Sequence, residues 1–333
     1  MSSKFNFNDV KKAYETIASY VKETPLEQSY YLGDDEHKYF FKLETLQRVK
    51  SFKIRGALNK MLSLTETERE RGVVTISAGN HGSAVAYAAS LLGIKKAVII
   101  VPEVTPQSKI DKIEYFGGTA MIMGENYDEA HLMGMQYIEE NEMTFIDAYY
   151  DDPKIYAGQG TIAIEILNQK PEIDTIIVPI GGGGLITGIA VAAKALKPEI
   201  EIIGVQTAAC PAMVKAYEDQ VFYQEYPVSG DTICEALVGG VGKLSYELLK
   251  EYVDQLFIVS EASIRKAVAF MIREEKFVVE GGSAATVAAV FEHSEKIKGR
   301  NVALVMSGGN IDGTLMTTLL NEMQVEKSFA DRR

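Results

Sequence analysis

The stretch Thr175–Ala193, TIIVPIGGGGLITGIAVAA, carries no charged side chain and admits two readings. A run this apolar is long enough to suggest a membrane span. Pro179 and the four consecutive glycines at Gly181–Gly184 rule out one continuous helix through its middle. The stretch reads instead as a buried strand, TIIVPI, then a bare turn, then a helix entered at LITG. β-Branched residues dominate the first part, as in a strand covered on both faces.

The same pattern recurs along the chain. VVTIS (73–77), AVIIVP (97–102), TAMIMG (119–124), EIIGVQ (201–206), LFIVS (256–260) and NVALVMS (301–307) are short apolar runs separated by helical segments. Thr65 followed by Glu68 forms a capping-box pattern. Thr105 reads as an N-cap, with Pro106 at the first helical position and Gly117 ending that helix. Alternating strands and helices predict an α/β protein with parallel, doubly wound sheets. At 333 residues the chain is long for one core, so two lobes are expected.

Composition narrows the function. A net charge of -12 argues against nucleic acid as a partner, because duplex binding needs clustered positive charge. Neither a signal peptide nor a membrane span is read from the sequence, and the two cysteines, Cys210 and Cys234, form no CxxC pair. The expected location is the cytoplasm, with both thiols reduced. The acidic run DDEH at 34–37 reads as a solvated turn. His37, His131 and His293 show no metal-ligand spacing.

Three strands end in turns of small residues: Ser77-Ala78-Gly79-Asn80-His81-Gly82, Gly181–Gly184, and Ser307-Gly308-Gly309-Asn310. Ligands of parallel α/β sheets bind beyond the carboxyl ends of the strands, so these turns point to one cleft. Four glycines at the start of a helix let backbone N–H groups crowd an anion. The dinucleotide pattern GxGxxG and the GK[ST] of a Walker loop are both absent, which leaves a phosphate monoester or a cofactor phosphate. The Ser77–His81 turn suits a carboxylate. Lys53, in SFKIRGA, sits among apolar residues, where an amine either reaches solvent or reacts with a depressed pKa. Arg55, two residues on, fits either a support of the site or a surface ion pair.

SFKIRGA, SAGNHG, GGGGL and SGGN, in that order and spacing, resemble the fold-type II pyridoxal-phosphate enzymes. The similarity is to the branch of threonine/serine dehydratases (ammonia-lyases) and serine racemases, and it covers nearly the whole chain. It implies a fold like the β-subunit of tryptophan synthase, with pyridoxal 5'-phosphate between two doubly wound lobes. The larger lobe would comprise residues 1–72 and 149–325, the smaller residues 73–148, with a tail at 326–333. By position, the resemblance implies that Lys53 holds the cofactor as a Schiff base and that Phe52 lines its ring. Asn80 would bond the ring's 3-oxygen. Gly181, Gly182, Gly183, Gly184 and Leu185 would cradle the phosphate, and Ser307 would meet the pyridine nitrogen. Ser77, Ala78, Gly79, Asn80 and His81 would hold the substrate carboxylate, His81 through its backbone.

The implied reaction is elimination of the β-hydroxyl of L-threonine or L-serine, giving 2-oxobutanoate or pyruvate and ammonia. The implied assembly is a homodimer or tetramer. Three departures from the family pattern bear on this. Racemases of the branch carry a serine where Ala78 stands, and alanine has no proton to give to Cα, which favours elimination over racemisation. The stretch from Gln206 to Ala212 lacks the acidic pair that binds a divalent cation in some relatives, so no metal is expected there. The segment from Thr232 to Gly240 also differs from the Asp-Gly pair common in threonine dehydratases, which keeps another β-hydroxy amino acid, such as 3-hydroxyaspartate, as an alternative substrate.

Overall fold

The computed structural model describes residues 5–322; residues 1–4 and 323–333, with the expected tail at 326–333, lie outside the described residues. The strands are β1 (Leu26–Gly33), β2 (Lys38–Leu43), β3 (Val73–Ile76), β4 (Ala97–Val101), β5 (Thr119–Ile122), β6 (Thr144–Phe145), β7 (Thr175–Pro179), β8 (Glu201–Thr207), β9 (Gln255–Val259) and β10 (Asn301–Met306). The helices are α1 (Phe7–Ile17), α2 (Lys53–Leu62), α3 (Glu66–Arg71), α4 (Asn80–Leu91), α5 (Gln107–Tyr115), α6 (Tyr127–Asn141), α7 (Pro153–Gln169) and α8 (Gly184–Leu196). After them come α9 (Ala212–Asp219), α10 (Lys243–Tyr252), α11 (Glu261–Arg273), α12 (Gly281–His293) and α13 (Gly313–Glu322).

Two sheets result, in the orders β1-β2-β10-β7-β8-β9 and β5-β4-β3-β6. The smaller sheet is parallel throughout, and its strands all fall between Val73 and Phe145. The larger is parallel from β2 to β9. In the larger sheet the chain steps outward from β7 to β9, then returns through β10 to the other side of β7. In the smaller it steps from β3 to β5 and returns through β6 to the other side of β3. Each sheet therefore has a switch point, where a crevice opens beyond the carboxyl ends of its strands.

Helix burial follows from composition. In α7 every residue from Ile155 to Ile166 is buried, and in α8 every residue from Gly184 to Ala193. Helices apolar on all sides belong in the interior, between a sheet and other helices. By contrast α3, ETERER, buries nothing and rests on its capping box, with the Thr65 side chain accepting from the Glu68 N–H and the Glu68 carboxylate accepting from the Thr65 N–H. A continuous apolar core joins the lobes where α2 packs on α4, through Ile54, Ala57, Leu58 and Met61 on one side and Val85, Ala88 and Ala89 on the other.

Two local expectations change. The larger sheet gains a hairpin, β1–β2, whose outer strand runs antiparallel to its neighbour. In β1, exposed positions interrupt the apolar pattern on which a strand assignment relies. The DDEH turn joins these strands, and the Asp34 carboxylate accepts from the N–H groups of Glu36 and His37 at 2.8 and 2.7 Å. Second, Pro106 is the N-cap of α5 rather than its first helical residue, with ψ at 139°. The preceding Thr105 is taken up in a turn, its N–H donating to the Pro102 carbonyl at 3.0 Å, so the chain is still extended when it reaches the proline.

Candidate active site

The loops after β3, β6, β7 and β10 meet at one cavity, so the two switch points face each other. Asn80 lines it from the first loop, Ala148 and Tyr149 from the second, Gly181–Gly184 from the third and Ser307 from the fourth. Phe52 and Lys53, at the start of α2, complete the wall. Backbone bonds hold that start against β10: the Phe52 N–H donates to the Ser307 carbonyl at 2.9 Å, and Ser51 bridges Gly308.

The Lys53 amine donates to the Ala148 carbonyl at 3.0 Å, reaching from one lobe to the chain leaving the other. Burial brings its pKa down to about 8, against partial support from the carboxylates of Asp147 and Glu280. An amine in that range is available as a base or nucleophile near neutrality.

Gly183, with φ at 98°, lies in the left-handed region, and a Cβ there would sit 2.6 Å from that of Ser245. The turn is bare in a second sense. The N–H groups of Gly181, Gly182 and Gly183 have no partner among the described residues, although they stand at the N-terminus of α8. Orphan donors at a helix N-terminus, with the positive end of its dipole, make an anion site. A Cβ on Gly182 would overlap the Tyr149 ring.

Asn80 is oriented from two sides. Its Nδ2 donates to Glu280 at 2.7 Å, and its Oδ1 accepts from the Asn310 side chain at 2.5 Å. One N–H of its amide remains for a ligand. Burial raises the Glu280 carboxyl above its ordinary value, although bonds from the Asn310 N–H and Asn80 pull the other way. The Ser307 hydroxyl lies 3.2 Å from that of Ser283.

Of the residues expected from sequence, Phe52, Lys53, Asn80, Gly181–Gly184, Leu185 and Ser307 line this one cavity. Ser77, Ala78 and Gly79 form the turn between β3 and α4, and His81 stands in the first turn of that helix, beside the cavity wall rather than in it. The His81 ring is buried, and burial with the nearby Lys53 charge lowers its pKa to about 3. It is therefore neutral, and its Nε2 donates to the Ile146 carbonyl at 2.8 Å.

The sequence reading missed Glu280, Tyr149 and Gln159, which also line the cavity. The glycines that follow Glu280, in VVEGGS, were the available signal for the first. The segment Ala236–Val238, noted for its departure from the family pattern, lines the cavity as well. Arg55 is wholly buried, which excludes the surface ion pair. It bonds Glu44 and Glu165 in a buried cluster beneath α2.

A family model described as pyridoxal-phosphate dependent enzyme matches residues 17–308. The chain is 40% identical over 319 residues to L-threonine ammonia-lyase of Thermotoga maritima, an alignment covering 94% of this chain and 78% of that protein. Maize serine racemase superposes with a TM-score of 0.88 at 32% identity, over 96% of this chain and 98% of that one. The threonine deaminase of T.th. gives a TM-score of 0.85 at 33% identity, over 92% of this chain and 99% of that one.

Proposed function

The chain belongs to the pyridoxal-phosphate-dependent enzyme family, and from that premise we propose that it is an L-threonine ammonia-lyase that also accepts L-serine. It converts these substrates to 2-oxobutanoate or pyruvate and ammonia. The observation that carries this reading is the pairing, in one cavity, of a lysine amine with a pKa near 8 and a helix-start turn of partnerless N–H donors.

The site's chemistry fits the cofactor. The bare donors of Gly181–Gly183 suit its phosphate, and the Lys53 amine suits its aldehyde. Asn80 would hold the ring's 3-oxygen with its remaining N–H, and the Ser307 hydroxyl would meet the ring nitrogen. When bound, the cofactor supplies an electron sink for charge developing at the substrate Cα. Lys53 would take the Cα proton at Nζ, and the Ala148 carbonyl would hold the protonated amine. The N–H groups of the Ser77–His81 turn, at the start of α4, would bind the substrate carboxylate.

Two features favour threonine and serine over the other substrates. Among the described residues Lys53 and Glu280 are the only charged side chains lining the cavity, and Ala236, Leu237 and Val238 make one wall apolar. A second substrate carboxylate, as in 3-hydroxyaspartate, would find no free cation there and would face Glu280. At position 78 alanine cannot deliver a proton to Cα, which disfavours racemisation. We also infer a cytoplasmic homo-oligomer, dimer or tetramer. The buried free thiols of Cys210 and Cys234 suit a reducing compartment, and sedimentation of the purified protein measures the assembly.

The test is 2-oxo acid formation by the purified holoenzyme from threonine, serine and 3-hydroxyaspartate. Threonine should be turned over fastest, and Lys53→Ala should abolish turnover. Undiminished rates in Lys53→Ala refute the role of the lysine, and preference for 3-hydroxyaspartate refutes the substrate assignment.

A further inference from the structure

Gln159 lies in α7 and is only 1% exposed, yet it lines the active cavity. Its orientation is fixed by a group that can only donate: the Gly56 N–H bonds its Oε1 at 3.2 Å. The amide nitrogen must therefore be on the other side. Nε2 has no hydrogen-bond partner among the described residues. A Cβ at position 56 would come within 2.5 Å of this nitrogen, so the glycine of KIRGA makes room for the carboxamide. Its two N–H groups are open to the cavity, where a ligand or a water can take them.

The helix that carries Gln159 runs beside the glycine turn and the helix it opens. Gly160, the next residue, abuts the backbone of Gly188 in α8, its ideal Cβ falling 2.6 Å from that carbonyl. Tyr156, one turn earlier, packs against Gly184, whose ideal Cβ falls 3.0 Å from the ring. Among the described residues no cation but Lys53 lines the cavity. A phosphate held there is met by neutral donors and the helix dipole, so one more donor matters.

We propose that Gln159 is a phosphate ligand of the cofactor, donating from Nε2, while its Oε1 anchors the first turn of α2 that carries Lys53. This inference rests on the cofactor reading above. It adds a side chain to a phosphate site otherwise built from main chain, and it links that site to the helix bearing the reactive amine.

The experiment compares pyridoxal 5'-phosphate with pyridoxal, which lacks the phosphate. Both are titrated into protein stripped of its cofactor, with visible absorbance and thermal shift as readouts. Gln159→Glu keeps the acceptor for Gly56 but sets a carboxylate or its acid in place of the amide. Gln159→Met removes donor and acceptor at similar volume. In both variants the dissociation constant for the phosphorylated cofactor, divided by that for pyridoxal, should rise at least about tenfold, as expected for losing one hydrogen bond to a charged group. A general loosening of the fold would weaken both ligands together and leave this ratio unchanged. A ratio within about threefold of the unaltered protein's in either variant overturns the proposal, a gap of less than one such bond. Failure of the unaltered protein to bind pyridoxal 5'-phosphate at all overturns the cofactor reading, and this inference with it.

Discussion

Replacing Arg55 by methionine tests whether the buried cluster beneath α2 is held by charge balance. Lys42, Glu44 and Arg55 are 0% exposed and Glu165 is 2% exposed, two cations against two anions. Arg55 meets Glu44 through Nε and Nη2 at 2.7 and 2.8 Å, and Glu165 through Nη1 and Nη2 at 2.6 and 2.9 Å. Lys42 donates to Glu165 at 2.6 Å. Burial alone would raise the Glu44 carboxyl, but the Arg55 charge and hydrogen bonds, with Lys42, hold it below its ordinary value of 4.5. Methionine keeps the apolar stem and leaves Lys42 facing two carboxylates. An exposed ion pair would be worth about 0–1 kcal/mol, whereas breaking a buried one costs about 3–5 kcal/mol. The zero exposure selects the larger figure. Because the Glu44 pKa is depressed in the fold, its contribution is present above the unfolded value and is lost as pH falls through the folded one. The gap between Arg55→Met and the unaltered protein should therefore be widest near pH 7 and narrow below about 4.5. Adding Glu44→Gln restores neutrality and should recover part of the loss. Urea unfolding followed by circular dichroism measures all of this. A loss below about 1 kcal/mol at neutral pH, or a double variant no more stable than the single one, would refute the reasoning.

Further predictions address single residues. With its pKa lowered to about 3, His81 stays neutral in the fold but takes a proton when unfolded, so stability should fall by about 1.4 kcal/mol per pH unit from about 6.5 towards 3. His81→Gln should flatten that slope in urea unfolding; an unchanged slope assigns it to other groups. Gly183→Ala forces a left-handed position with φ at 98° onto an L side chain and should cost at least about 1–2 kcal/mol while weakening cofactor binding. Melting of both proteins, with and without pyridoxal 5'-phosphate, checks it. In cofactor-free protein, competitive acylation read by mass spectrometry should give Lys53 half-maximal reactivity near pH 8 rather than the ordinary 10.5. Ala78→Ser supplies a hydroxyl proton near the expected substrate face and should raise D-serine formation from L-serine in chiral chromatography; no change would mean that the turn does not face Cα.

How much of the site could be read from sequence depends on which part of the chain carries the chemistry. Gly181–Gly184 were legible because the demand on them is local: a left-handed Gly183 and exposed N–H donors need glycine whatever surrounds them. Lys53 was legible as an anomaly, an amine in an apolar run. Capping followed the same logic, since the Thr65–Glu68 box closes within one turn. Arg55 was ambiguous because its partners come from distant segments, Glu165 lying 110 residues along the chain, and only the packing of α2 on α7 brings them together. Pro106 was placed one residue too deep in its helix because a turn at Thr105 outweighs the local preference. Gln159 carries no local signature and Glu280 only the two glycines that follow it, since each gains meaning from a loop or helix on the other side of the cavity. The lobe crossing explains why. Asn80 and Glu280 meet although 200 residues separate them, because Asn80 follows β3, Glu280 bonds Gly308 and Asn310 in the loop after β10, and β3 and β10 each border one of two facing switch points. A motif reading therefore recovers the groups that act through main chain or stand out against their neighbours. The side chains that orient those groups become visible only once the strand order is known, and the strand order here is what turns three glycine-rich turns into one site.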